Sequence, residues 1–193
     1  MIEKLYDWML RQAESKNAVR VLMFVSFIES SFFPLPPDPV LAIVVAKNKD
    51  KAIRYALLCA IASVLGGFFG YYIGYSFFEL IGEKILSFYG QAEKFSDIVA
   101  TLNKWAFWII CAKGLTPIPY KIVTIASGFA KINLLTFGAA SLITRTTRFL
   151  LLSLVCRVFG DQFLAFIEKH KKTALTLIVV SVLIGFLLVK LFI

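Results

Sequence analysis

Phe27-Ile28-Glu29-Ser30-Ser31-Phe32-Phe33-Pro34-Leu35-Pro36-Pro37-Asp38-Pro39 interrupts a run that is otherwise predominantly apolar from Val19 to Ala46. A run of that length is enough to cross a bilayer. Two carboxylates and four prolines do not suit a plain spanning helix. A charge near the bilayer centre costs at least ~3 kcal/mol, and such residues usually mark an ion or substrate path. Each interior proline removes a backbone donor and clashes with the preceding turn, at roughly 3 kcal/mol or more. The stretch therefore predicts a chain that enters the membrane, breaks at Pro34, Pro36 and Pro37, and turns back.

The composition fits that reading. Of 193 residues, 59% are hydrophobic and only 17% charged, against about 45–50% and about 25% in soluble domains. The expectation is one polytopic membrane domain over residues 1–193. The net charge of +9 is spread along the chain with no basic arm, which argues against nucleic-acid binding and for orientation by anionic headgroups. Cys59, Cys111 and Cys156 are dispersed in apolar stretches, and the single histidine, His170, lies in a charged turn. That set offers neither a disulfide framework nor metal-ligand spacing, so no metal and no cofactor is expected. Charges from Glu3 onward precede any long apolar run, unlike a cleaved signal peptide.

Along the chain, residues 1–18 carry Ile2, Leu5, Trp8, Met9 and Ala13 at three- and four-residue steps, the pattern of an interfacial amphipathic helix. Residues 19–46 form the first broken segment. The connection Lys47–Arg54 holds four positive charges and one negative, which places it, and the N-terminus, on the cytoplasmic side. Residues 55–81 predict a spanning helix with Gly66, Gly70 and Gly74 on a four-residue repeat, a stripe that admits close backbone approach. Residues 82–104 have balanced charges and helical apolar spacing, as expected of an outer amphipathic segment. Residues 105–130 hold a second broken segment around Lys113-Gly114-Leu115-Thr116-Pro117-Ile118-Pro119-Tyr120-Lys121, followed by a helix bearing Gly128. Residues 132–157 span again and include Arg145 and Arg148; 157–172 reads as a positive loop, and 173–193 as a final apolar helix.

The two broken segments mirror one another with opposite charge. The first sets Glu29 and Asp38 around Pro34 and Pro36; the second sets Lys113 and Lys121 around Pro117 and Pro119. If the first opens to the cytoplasm and the second to the outside, the chain is an inverted-topology repeat with interrupted helices meeting at the midplane. Irregular backbone at that depth is tolerated only where protein buries it or a wet cavity lines it. The expectation is that the acids of one tip face the lysines of the other, where attraction at ~4 Å is about 4 kcal/mol at an effective dielectric of 20.

Glu-x-x-x-x-Pro-x-Pro-x-Asp, the stripe with Gly70-Tyr71-Tyr72-Ile73-Gly74, and the second motif followed by Ala126-Ser127-Gly128 resemble the DedA family (VTT, or SNARE-associated, domain), closest to its YqaA-like branch. The resemblance covers roughly residues 20–160. It implies a bacterial inner-membrane protein with two opposed re-entrant hairpins, whose relatives are associated with lipid movement between leaflets. Undecaprenyl phosphate and phospholipids are the substrate classes implied, with proton coupling in some members. The family's functional acids and bases carry over to Glu29, Asp38, Lys113 and Lys121. Many members have arginine where the two lysines stand; lysine acts on a phosphate as a point charge, arginine as a fork. Arg145 and Arg148, three apart on one helix face, are the candidates for that grip.

The leading expectation is a non-enzymatic transporter of a lipid or lipid phosphate. A headgroup meets Lys113, Lys121, Arg145 and Arg148 while Glu29 and Asp38 act as counter-ions or proton sites. The partners are then membrane lipids and protons, and a homo-oligomer stays open. Two alternatives stand beside it: a proton-coupled transporter of a small solute or cation that uses the same charged residues, and a non-catalytic envelope scaffold that docks a partner through the glycine stripe and the tyrosine-rich face.

Overall fold

The computed structural model describes residues 11, 15–32, 36–82, 92–114 and 119–169. All regular structure among them is helical: α1 (Ala18–Ser31), α2 (Asp38–Lys47), α3 (Ala52–Phe77), α4 (Ala92–Gly114), α5 (Tyr120–Phe129) and α6 (Leu134–Lys169). A 3₁₀ turn over Lys49–Lys51 leads into α3, and a π turn over Phe78–Gly82 ends it. Two stretches, Lys49–Gly82 and Leu134–Gly160, are long and apolar enough to cross a membrane.

The helix breaks fall where the prolines are. α1 ends at Ser31; α2 begins at Asp38, with Pro37 just before it and Pro39 in its first turn. There a missing N–H costs nothing, because the first helical donors have no intrahelical partner. Asp38 also places a negative charge at a helix N-terminus, the favourable end. Pro119 precedes α5 in the same way. Pro34, Pro117 and the Lys113 side chain lie outside the described residues, as do most of residues 1–18 and all of 173–193.

Three boundaries differ from the sequence expectation. α3 starts at Ala52, three residues before the expected 55. α4 runs unbroken through 104/105, so the expected outer segment and the first arm of the second break are one helix. Nothing between Ala92 and Gly114 stops it: there is no proline and no interior glycine. α6 likewise continues past 157 to Lys169, through residues read as a loop. Its charged residues are compatible with helix, and its one glycine there, Gly160, rests against Ala46. Between α5 and α6 the chain turns at Lys131, whose φ of 48° is left-handed. Its N–H donates to the Gly128 carbonyl, and its Nζ lies 3.9 Å from Glu79 on the π turn. Asn133 then caps α6, its Oδ1 accepting from the N–H groups of Leu135 and Thr136 at 3.0 and 3.1 Å.

The registers reveal how the helices are laid out. Along α1 and α3, Ser26 meets the Cys59 carbonyl, Ser30 meets Ser63, and Ser31 meets the Gly66 carbonyl. The partners advance together, so α1 runs parallel to α3 and stops near its middle. α5 begins at that same level, with Tyr120 against Gly67, and proceeds along the second half of α3 through Thr124 on Gly70 to Ile125 on Gly74. On α6, Asn103 of α4 accepts from the Asn133 N–H at the start of the helix, and Ala106 and Ile110 cluster with Phe137 and Ala140. α2 takes over further along, from Asp38 at Arg148 to Ala46 at Gly160. Each long helix is thus flanked by two short arms in line, one from each break. The arms of a single break splay apart to different long helices.

The small residues expected to allow close approach sit at these crossings. A Cβ on Gly66 would overlap the Phe27 carbonyl of α1, one on Gly74 the Ile125 carbonyl of α5, and one on Gly128 the Tyr71 carbonyl of α3. The buried face of α3 is Ala52, Ala56, Cys59, Ser63, Gly67 and their neighbours, while Ile53, Leu57, Ile61 and Leu65 are exposed at four-residue steps. On α6, Ser141, Thr144, Arg145 and Ser153 are buried, and Leu142, Ile143, Leu151, Leu154 and Val155 point outward. On α3 the inward face is made largely of small residues, and on both long helices a row of large apolar side chains faces out.

Candidate functional site

The breaks converge on a polar cluster drawn from α1, α3, α5 and α6. Its centre is Arg145, 1% exposed although it is the largest buried side chain. Nε donates to Ser63 Oγ at 2.5 Å and Nη2 to Glu29 Oε2 at 3.2 Å. The guanidinium carbon lies 4.5 Å from the ring centroid of Tyr120 and 4.7 Å from that of Phe149, both within cation–π range. Ser30 extends the network: its Oγ is 2.6 Å from Ser63 Oγ and 3.3 Å from Glu29 Oε2. The Ser30 carbonyl, near the C-terminus of α1, accepts from Thr124 Oγ1 of α5 at 3.2 Å. That last bond joins the end of one arm to the start of the arm in line with it.

Three residues further along α6, Arg148 forms a second pair of different character. Nη2 donates to Asp38 Oδ2 at 2.7 Å, yet the two side chains are 38% and 34% exposed. Asp38 Oδ1 is buried with no hydrogen-bond partner among the described residues. At 1.5 Å per residue, Arg148 is about 20 Å from either end of Leu134–Gly160, hence near the middle of that stretch.

The sequence expectation set the acids opposite Lys113 and Lys121. Among the described residues the ion pairs of Glu29 and Asp38 are with Arg145 and Arg148, and the Lys113 side chain lies outside them. Lys121, half-buried in the first turn of α5, makes no ion pair among the described residues but lies within electrostatic reach of Glu29. The physical reason is the splaying of the arms: α2 packs on α6, which brings Asp38 to the arginine helix rather than to the second break. Arginine also suits the buried position better, since its fork meets Ser63 and Glu29 together.

Ser30, Ser63, Tyr120, Thr124 and Phe149 belong to this cluster without having been singled out in the sequence. A signal for them exists. Ser26 and Ser30, Cys59 and Ser63, and Ser141, Arg145 and Phe149 are each four apart on one face of their helices. Hydroxyls aligned in that way inside apolar runs mark a helix face turned toward protein.

Among the described residues no group of three or more His, Cys, Asp or Glu is disposed to hold a metal ion. The cluster instead offers cations, hydroxyls and two carboxylates, a set that can bind an anion in exchange for an internal carboxylate.

Two curated relatives match nearly the whole chain. One, an uncharacterized protein of Haemophilus influenzae, is 32% identical over 186 residues, 96% of either chain. The other, an uncharacterized protein of Histophilus somni described as an HI0703 homolog, is 34% identical over 187 residues, covering 96% of this chain and 97% of its own. No protein-family model and no solved structure matches the chain.

Proposed function

Since the chain belongs to one family with these uncharacterized proteins of Haemophilus influenzae and Histophilus somni, we propose a role for it: an integral membrane protein of DedA type that moves a lipid phosphate between leaflets. The inside-out distribution of residues supports the membrane location. Water would penalise the outward rows of Leu, Ile and Val on α3 and α6, whereas acyl chains do not. The bundle stands in the bacterial inner membrane with the Lys47–Arg54 connection and the N-terminus in the cytoplasm.

The register of the arms supports opposed entry. α1 and α2 approach mid-level from the end of the bundle where α3 begins; α4 and α5 approach from the end where α3 finishes. Each break is then a re-entrant hairpin, and the two halves, α1–α3 and α4–α6, form the inverted repeat. The residues beside the breaks, Ser31 and Pro37 at the first and Tyr120 at the second, are buried in the bundle, the condition under which interrupted helices are tolerated at mid-depth.

One observation carries the functional reading: two arginine–carboxylate pairs lie at the mid-level of α6, where both breaks meet. Ionised groups at that depth are costly and mark a path for an ionic substrate. A phosphate headgroup is met there by arginine and by Lys121, its tails stay against the outward apolar rows, and Glu29 or Asp38 takes a proton or balances charge as the headgroup arrives and leaves. The test is leaflet exchange in liposomes carrying a fluorescent lipid phosphate. Exchange accelerated by the protein, and lost in Arg148→Gln, is expected. Exchange no faster than in protein-free liposomes overturns the proposal.

A further inference from the structure

The two arginines differ in what surrounds them, and the difference assigns them different work. Arg145 is enclosed, with 1% of its side chain exposed: Ser63 and Glu29 take two of its nitrogens, the rings of Tyr120 and Phe149 lie 4.5 and 4.7 Å from its guanidinium carbon, and Nη1 is buried with no partner among the described residues. A ligand reaching it would have to displace four contacts contributed by four helices. Arg148 is held by one bond, from Nη2 to Asp38 Oδ2, and both partners of that bond are about one-third exposed. The carboxylate is itself only half satisfied, because Oδ1 is buried with no partner among the described residues. Among the described residues the bond to Asp38 is the single charge-assisted bond to the arginine fork, and a phosphate takes up a fork bidentately.

The surroundings of Arg148 point to the form in which that phosphate comes. Leu151 and Val155, three and seven residues on and on the same helix face as Arg148, are exposed. Arg148 is thus a partly exposed cation at mid-span, about 20 Å from either end of the apolar stretch, with apolar side chains on its face over the next two turns. A headgroup reaching this point can keep its chain in contact with them.

We propose that Arg148 is the phosphate-binding residue, with Asp38 as the internal anion that a phosphate monoester displaces, while Arg145 is a positioning residue that fixes the break of α1 against α3 and α5. This deepens the transport reading and rests on it for the identity of the ligand as a lipid. The mechanism is an exchange of anions: phosphate in, carboxylate out, so Arg148 never stands bare at mid-depth. Binding is then taxed by the fraction of time that Asp38 occupies Arg148. Removing that competitor raises apparent affinity by the reciprocal of the open fraction, about tenfold if the pair is open about a tenth of the time.

The experiment is titration of the purified protein in detergent micelles with dodecyl phosphate and, separately, with inorganic phosphate, with thermal unfolding as a check on folding. Asp38→Asn is expected to bind dodecyl phosphate several-fold more tightly than the natural protein, and Arg148→Gln about tenfold or more weakly. Arg148→Lys should fall between, since a point charge replaces a fork. Asp38→Ser carries the same arm should Asp38→Asn fail to fold. Unchanged or weaker binding in the Asp38 variants, or natural affinity in Arg148→Gln, overturns the assignment. Equal affinity for inorganic phosphate with the same variant pattern upholds Arg148 and Asp38 but removes the lipid. The expected affinity pattern without leaflet exchange in liposomes upholds the assignment and removes transport. Leaflet exchange with affinities unchanged in every variant does the reverse.

Discussion

Arg145 is held by bonds to two of its nitrogens and by the rings of Tyr120 and Phe149 beside its guanidinium, so removing either member of the Glu29–Arg145 pair leaves a buried charge unpaired. Glu29→Gln leaves the guanidinium buried without an opposite charge, and breaking a buried pair in this way costs about 3–5 kcal/mol. Replacing both members by apolar residues removes the problem along with the pair. The expected outcome is that Glu29→Gln unfolds at markedly lower temperature in micelles, and that Glu29→Met with Arg145→Met recovers most of the loss. Folding and function pull apart here: the double variant should be stable and inactive in leaflet exchange. Glu29 also sits in the last turn of α1, where the helix end is already negative, and Lys121 in the first turn of α5, where it is positive. Both charges oppose their helix dipoles. Residues retained against local stability in this manner are the kind that function retains.

Helices α1 and α5 depend on glycines of different stringency. A Cβ at Gly66 or Gly128 would overlap a backbone carbonyl, of Phe27 and Tyr71 respectively, and backbone cannot yield without separating the helices. At Gly67 the nearest atoms belong to the Tyr120 ring and hydroxyl, 3.0–3.3 Å away, and a side chain can give by a few tenths of an ångström. Gly66→Ala and Gly128→Ala should each destabilise by about 1–3 kcal/mol or more, and Gly67→Ala by clearly less, measured as melting temperatures of the three variants side by side. At this scale the sequence was informative about interruptions and close approaches, because proline and glycine act through local sterics. It was uninformative about continuation. Nothing local distinguishes Ala92–Gly114 as one helix from a surface segment joined to a second arm. Nothing local carries α6 on to Lys169; that too depends on partners elsewhere, such as Ala46 against Gly160.

Across the whole molecule, the charges were legible and their pairing was not. Glu29, Asp38, Arg145 and Arg148 stand out in apolar runs by type alone, but which carboxylate meets which base is set by how the arms splay, a tertiary fact. The mirrored motifs suggested two broken segments meeting at mid-depth, but not which long helix each arm packs on. The structure has arms of different breaks in line, α1 with α5 along α3 and α4 with α2 along α6. That arrangement places the outer ends of α1 and α2 toward the start of α3 and the outer ends of α4 and α5 toward its finish, as the proposed opposed entry into a bilayer requires. The direct measurement is labelling with a membrane-impermeant maleimide in sealed, uniformly oriented vesicles, with Cys59, Cys111 and Cys156 replaced. Asp50→Cys reports the α2–α3 connection, and Leu135→Cys the start of α6. The account predicts that each is labelled from one face only and that the two faces are opposite. Labelling of both positions from the same face would contradict it.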